Sequence, residues 1–345
     1  MATKKIRVGI IGCGAIAERL HIPDYAACDQ AELVAFCDND KKRAKAIAEK
    51  FAPDAAVYND YKALLKNEDV DAVSVCMPNK FHGICSIDAA KAGKHVLVEK
   101  PMAMSLAEAK KMVAAAKKAK VHLLVNQSMR NYPAHKKARE IIASGFLGKV
   151  LHVSGMCGHE GPEVWAPNAK WFFKKKDARF GAMADLGVHK ADAIRYITGK
   201  EISEIRAFSG TLEKKGTDLE DNFVSSFTFK DGGMGSLAAS WTVKGGMTNY
   251  TIVHCEKGTL EVLLHPDKPL VARLHDPLSE IVFTLPEAPI LYKDSWGLDI
   301  GGAFIRAILG EEEPFCSGEE GLKSLAVILA AEKAADTGKS VKVTV

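Results

Sequence analysis

The sequence predicts an α/β protein of two domains. A doubly wound parallel sheet is expected over residues 1–125, and an α+β domain over 126–345, built on a large, open, mainly antiparallel sheet. Three observations carry this expectation. The first third alternates short apolar runs with amphipathic stretches, the pattern of repeated βαβ units. The rest holds long runs alternating apolar and polar residues, which suits strands with one wetted face. The length, 345 residues, exceeds one average domain and suits two.

The elements follow in order. "IRVGII" (6–11), bounded by glycine, reads as a strand buried on both faces. "AIAERL" opens a helix, and "ELVAFCD" (32–38) is the second strand. "AVYND" is a short strand, "YKALLKN" a short helix and "DAVSVCMP" (71–78) a strand. "HGICSIDAAKAG" is a helix stopped by Gly93, before the strand "HVLVEKP". "SLAEAKKMVAAAKKA" starts with Ser105 as cap and Glu108 three residues on, a capping box. "VHLLVNQSMR" (121–130) reads as the last strand of this domain. Beyond it, "PAHKKAREIIASGFLG" is helical, "KVLHVSGMCG" is a strand, and residues 159–181 are a loop rich in Gly, Pro and Trp. "AMADLGVHKADAIRYITG" (182–199) is a helix. Five strands follow ("EISEIRAFSGTL", "NFVSSFTF", "GMGSLAASWTV", "TNYTIVHC" and "TLEVLL"), then two late helices.

Composition narrows the function. At 47% hydrophobic and 26% charged, the chain is ordinary for a globular enzyme. The net charge of +4 is scattered, and its densest run, "FFKKKDAR", reads as a solvated face. No nucleic-acid partner is expected. No apolar stretch reaches membrane-spanning length, so no membrane association is expected either. The eight cysteines lack metal-knuckle or redox spacing, and several sit inside apolar strands. That predicts free thiols in a reducing compartment. The N-terminal "MATKKIRVGIIG" lacks a signal peptide's apolar region and cleavage site, and a cytoplasmic location is expected.

"GCGAIA" follows the first strand with the G-x-G-x-x-A spacing and opens a helix. Gly12 would permit the tight turn, Gly14 the approach of a pyrophosphate, and Ala17 close packing of helix on strand. The helix N-terminus offers free N–H groups to the anion. A plain βα turn is the alternative. Asp38 ends the second strand, about 20 residues past Ala17, where an acid accepts from the adenosine ribose hydroxyls. Its charge would repel a 2′-phosphate, so NAD is the expected cofactor. Lys41 and Arg43 leave NADP open, and a helix cap is the bland role for Asp38.

In such sheets the ligand lies beyond the carboxyl ends of the strands. Glu99-Lys100-Pro101 ends a strand, so Lys100 would stand over that crevice; the bland reading is a solvated lysine in a turn. A cis bond before Pro101 is expected. In the 182–199 helix, Asp185 and His189 are four apart and share a face. A carboxylate orienting an imidazole suits a general base. Asp192 is placed to reach His189 as well, and Lys190 reads as a surface residue.

"GIIGCGAIA", "CMPNKFH", "AGKHVLVEKPMA" and "GAMADLGVHKAD", in this order and at these separations, resemble the Gfo/Idh/MocA family of nicotinamide-dependent sugar and polyol oxidoreductases. The resemblance spans nearly the whole chain and implies a Rossmann domain first. It matches Lys100 to a lysine that contacts the reacting hydroxyl and the nicotinamide. It matches Asp185 and His189 to the catalytic pair of the family's inositol dehydrogenases. The candidate cofactor contacts are Gly12, Gly14, Ala15, Ile16, Asp38, Pro78, Asn79, His82, Glu99, Lys100 and Arg130. "RFGAMADLG" departs from the family in having one glycine where many members have two or three.

The implied reaction is hydride transfer between a nicotinamide and a secondary hydroxyl of a sugar, sugar derivative or cyclitol. His189, oriented by Asp185, would take the hydroxyl proton, and Lys100 would stabilise the alkoxide; which of the two is the proton acceptor stays open. His159, Trp165 and Trp171, on the 159–173 loop, are candidate substrate contacts, with packing anchors as the other role for the tryptophans. No metal is expected, since His159 and Glu160 adjoin and lack a third ligand. Two further readings remain. One is a glycoside-cleaving enzyme that uses NAD transiently through a keto-sugar and elimination. The other is a non-catalytic dinucleotide-sensing regulator. The resemblance also implies a homodimer or homotetramer through the second domain's sheet.

Overall fold

The computed structural model describes residues 5–286 and 297–345. Residues 1–4, part of the N-terminal stretch considered above, lie outside them. The chain forms two compact units. The first holds residues up to Ser128 together with the described part of Ala288–Leu322; the second holds Met129–Glu287 and Lys323–Val345.

The first unit is a six-stranded parallel sheet of β1 (Ile6–Ile11), β2 (Ala31–Cys37), β3 (Ala56–Tyr58), β4 (Ala72–Val75), β5 (His95–Val98) and β6 (Leu123–Val125). Its order, β3-β2-β1-β4-β5-β6, reverses between β1 and β4, the switch point at which α/β sheets bind ligands. The continuous apolar runs are buried as expected: Val8, Ile10, Ile11, Val73, Val75, Val96, Leu97 and Val98 are at most 1% exposed. Ser105 caps the Leu106–Ala119 helix by accepting the Glu108 N–H, and Glu108 accepts the Met104 N–H in return. The late helix Ile300–Leu309 contributes Ile300, Phe304 and Ile305 to the same core. Buried Asp24 receives the Ile300 N–H at 2.7 Å and the Gly301 N–H at 3.3 Å, anchoring that helix's first turn.

The second unit is a nine-stranded mixed sheet: β7 (Val150–Gly158), β8 (Ile202–Gly210), β9 (Asn222–Phe229), β10 (Met234–Ser240), β11 (Thr248–Cys255), β12 (Gly258–His265), β13 (Lys268–Leu274), β14 (Ser279–Val282) and β15 (Val341–Lys342). The order is β14-β13-β12-β11-β7-β10-β9-β8-β15. Every pair is antiparallel except β7–β10. One face packs on the helices Pro133–Ala143 and Val188–Thr198 and on Val327, Ile328, Ala331 and Ala334. On the other face, Phe208 and Val224 sit side by side in register and both are exposed.

Several expectations need correction. β13, β14 and β15 extend the sheet beyond the five strands read after residue 199. β13 carries Pro269, which masks a strand signal. β6 covers only Leu123–Val125 of the expected 121–130. The 159–181 loop contains short helical turns at Pro162–Trp165, Lys170–Phe173 and Lys175–Ala178. No helix among the described residues is long and apolar enough to cross a membrane.

Candidate active-site residues

In the first unit, the glycine turn is built by the strand ends around it. Gly12 has φ +95° and donates its N–H to Cys37 O at the end of β2. A Cβ there would stand 2.5 Å from Cys76 O, so the close passage of the chain after β4 requires glycine. A Cβ on Gly14 would meet nothing, and the backbone faces open space there. Ala15 and Ile16, half-buried, lead into the π-helical turn Ala17–His21, and Ala17 is fully buried. Asp38 stands across from this turn. One of its oxygens accepts the Cys13 N–H and the other the Asp40 N–H, both at 2.9 Å. Arg43 Nη1 lies 3.4 Å away. The cap of the following helix is Asp40, not Asp38.

Glu99 is 6% exposed and points into the first unit's core. Its Oε1 contacts His21 Nε2 at 2.8 Å and accepts from Asn126 Nδ2 at 2.5 Å. His21 Nδ1 meets Ser74 Oγ at 3.1 Å, and Tyr25 OH meets the same oxygen at 2.7 Å. Burial would raise the Glu99 carboxyl, but the His21 and Asn126 hydrogen bonds and the Lys100 charge hold it down at about 2. So the acid that ends β5 is a clamp on His21 and Asn126. Half-buried Lys100 follows, and its own N–H reaches Glu99 Oε2 at 3.2 Å. The Lys100–Pro101 peptide is cis. His82 is likewise built in. Its Nδ1 lies 2.8 Å from Pro101 O and its Nε2 2.6 Å from Met77 O, and burial lowers its pKa. It joins the segments after β4 and β5, so its effect on a groove would be indirect. Pro78 is half-buried and Asn79 buried at the end of β4.

In the second unit, Asp185 lies in a π-helical turn, Met183–Gly187, ahead of the Val188–Thr198 helix. Such turns recur at functional sites. Asp185 Oδ2 accepts the indole N–H of fully buried Trp241 at 2.9 Å. His159 Nε2 stands 3.4 Å from the same oxygen. Gly161 N–H donates to His159 Nδ1, which leaves the neutral ring's proton on Nε2, facing Asp185. His189, half-buried, follows on the same helical stretch. Asp192 does not serve His189. Its carboxylate takes Arg130 Nε and Nη2 at 2.7 and 2.8 Å and the Ser324 hydroxyl at 2.8 Å. Arg130 is thereby tied down in a buried ion pair. Lys190 is also corrected: it is fully buried, and its Nζ donates to Asn249 Oδ1, Tyr250 O and Thr251 Oγ1. Burial brings its pKa down to about 8. Trp165, Phe172 and Trp171 form a half-buried aromatic cluster, with the Trp171 and Phe172 rings stacked at 3.9 Å.

Residues 6–127 match the Gfo/Idh/MocA oxidoreductase family with its NAD-binding Rossmann fold, and residues 135–261 match the family's C-terminal domain. The chain is 30% identical to 1,5-anhydro-D-fructose reductase of Ensifer adhaerens over 344 residues, covering 98% of each. It is 28% identical to D-glucoside 3-dehydrogenase of Escherichia coli K12, covering 99% of each. Aldose-aldose oxidoreductase from Caulobacter crescentus, solved with glycerol, superposes with TM-score 0.84 at 27% identity, over 98% of this chain and 100% of that one.

The chain belongs to the Gfo/Idh/MocA oxidoreductases.

As a member of this family it is an NAD(P)-dependent dehydrogenase or reductase, and its first unit is an NAD-binding domain. The residues present fit that cofactor. The open space at Gly14 admits a pyrophosphate beside the helix start, and Asp38 keeps lone pairs for ribose hydroxyls after its two backbone bonds. Two partners escaped sequence reasoning: His21, against Glu99 in the first unit, and Trp241, against Asp185 in the second.

Proposed function

We propose that this Gfo/Idh/MocA protein oxidises or reduces a secondary carbinol of a sugar, sugar derivative or cyclitol, with NAD in preference to NADP. The observation that carries the reading is Lys100, placed directly after β5 at the carboxyl edge of the parallel sheet and held there by clamped Glu99. Gly12, Gly14, Ala15 and Ile16 form the pyrophosphate turn, and Asp38 binds the adenosine ribose. NAD supplies a nicotinamide that accepts or returns hydride at the carbinol carbon. Within the first unit, the Lys100 ammonium stabilises negative charge on the reacting oxygen. Within the second, His189 Nε2 or Nδ1 exchanges the hydroxyl proton, and the Asp185 carboxylate balances the imidazolium charge. His159 and the Trp165–Trp171 aromatic cluster suit polar and stacking contacts with a sugar ring. The relatives named above act on an anhydro-ketose and a glucoside, which supports a pyranose-like substrate.

The test is NADH absorbance with purified protein and a panel of methyl glucosides, myo-inositol and 1,5-anhydro-D-fructose. Net NADH formation or consumption with one class is the expected result. Lys100→Ala should lower kcat by about 10²–10⁴-fold while NAD binding stays close to wild type. Equal losses of both would make Lys100 a cofactor anchor only. A glucoside consumed with NAD present but without net NADH would support the elimination chemistry instead. We also propose self-association, as a homodimer or homotetramer, through the outer face of the nine-stranded sheet.

A further inference from the structure

The dipeptide Glu220-Asp221 lies just before β9, and three segments of the second unit meet on it. Glu220 Oε1 accepts the N–H groups of Gly181 at 2.8 Å and Met183 at 3.0 Å, and Glu220 O accepts that of Ala182 at 2.9 Å. These are orphan donors at the start of the helical stretch that carries Asp185 and His189. Contact here is tight: a Cβ on Gly181 would stand 1.9 Å from Glu220 O. Glycine is therefore required at 181, where the helix entry meets another chain segment.

Asp221 is fully buried and holds the other two segments. Its carbonyl accepts the Trp241 backbone N–H at 2.7 Å, and the indole of that same Trp241 donates to Asp185. Its carboxylate accepts the N–H groups of Leu212, Glu213 and Lys214 at 2.7–2.8 Å. Lys214 Nζ in turn grips Glu160 O and Glu163 Oε1, beside His159. The Asp185 carboxylate is thus approached along three paths that all start from two adjacent residues: its own helix, Trp241, and the loop of His159.

We propose that Glu220 and Asp221 are positioning residues that set the Asp185 carboxylate, holding its helix entry and its Trp241 and His159 partners in one register. The proposal rests on the reading of Asp185 and His189 as the proton-handling pair. Burial pushes the Glu220 carboxyl up to about 7, against the N–H groups it accepts and with Glu332 adding to the rise; Glu332 is itself paired with Arg179. A neutral carboxyl keeps Oε1 as an acceptor, so a glutamine can serve in its place.

The experiment labels the indole nitrogens of the four tryptophans and follows their N–H resonances in the full chain, with Trp241→Phe as assignment. Glu220→Gln should leave the Trp241 resonance in place and kcat within about twofold of wild type. Glu220→Ala should move the Trp241 resonance upfield and lower kcat by about 10–100-fold, with KM for NAD unchanged. A folded Glu220→Ala protein with the Trp241 resonance unmoved would overturn the proposal, as would glutamine proving as harmful as alanine. Should Glu220→Ala not fold, Asp221→Asn decides by the same resonance: movement supports the hub, and an unmoved peak overturns it. The resonance needs no substrate. If methyl glucosides, myo-inositol and 1,5-anhydro-D-fructose all gave no turnover, the proposed reaction would fail while the indole readout still judged the hub.

Discussion

At the scale of single residues, Glu99 shows how a charged strand end is used. The carboxylate is out of water, yet His21 and Asn126 make its ionised form the stable one. Its folded pKa lies below the ordinary value of 4.5, so its contribution to stability is complete above about 4.5 and disappears as pH falls through about 2. Urea unfolding midpoints measured across this window should fall steeply for wild type and more gently for Glu99→Gln. Parallel slopes would show that Glu99 is not the responsible group. The histidine at position 21 sits on a stretch that also carries Glu18, Arg19 and Asp24, and its burial left no local signal. Its partner Glu99 lies 78 residues on, and nothing local in the sequence joins them.

At the scale of elements, the helix after residue 181 departs most from its sequence reading. An i,i+4 acid and histidine suggested one working face, with Lys190 in solvent. Instead nearly all of the helix is covered, and Lys190 lies under the sheet with its ammonium satisfied by one side-chain amide, one carbonyl and one hydroxyl. The error has a physical source. Periodicity assumes a surface helix with one wet side, and this one packs between a sheet and further helices. Lys190 is a base whose folded pKa is lowered from 10.5 to about 8, so the unfolded chain binds the extra proton between those values. Stability should therefore rise as pH increases from about 8 toward 10.5. In Lys190→Met that alkaline rise should vanish, and the chain should lose about 1–3 kcal/mol at neutral pH, because Asn249, Tyr250 O and Thr251 lose a donor. Chemical unfolding of both proteins across that range measures both effects.

At the scale of the whole molecule, the outer face of the second unit's sheet invites a prediction. Phe208 and Val224 are 69% and 54% exposed, neighbours across β8 and β9, with Met234 also exposed on β10. Large apolar side chains gathered on one sheet face mark an association surface more often than a bare one. Light scattering should give a dimer or tetramer for wild type and a smaller species for Phe208→Glu with Val224→Lys. A monomeric wild type would remove the association proposal and leave the enzyme reading intact.

The sequence by itself determined the strand–turn–helix at Gly12, the acid at Asp38, the lysine at the end of β5 and the order of βαβ units. Each of these is a local pattern whose chemistry works over a few residues: a glycine for a left-handed turn, an apolar run for a buried strand, a cap for a helix start. Only the tertiary structure decided what touches what. It gave Glu99 to His21, Asp185 to Trp241 and His159, Asp192 to Arg130 and Ser324, and Lys190 to a buried cage. It also seated the Ile300–Leu309 helix on the first unit through Asp24. Buried polar groups take whichever partners satisfy them at close range. Which partners come within range is a property of the packed chain, and no spacing along the sequence encodes it.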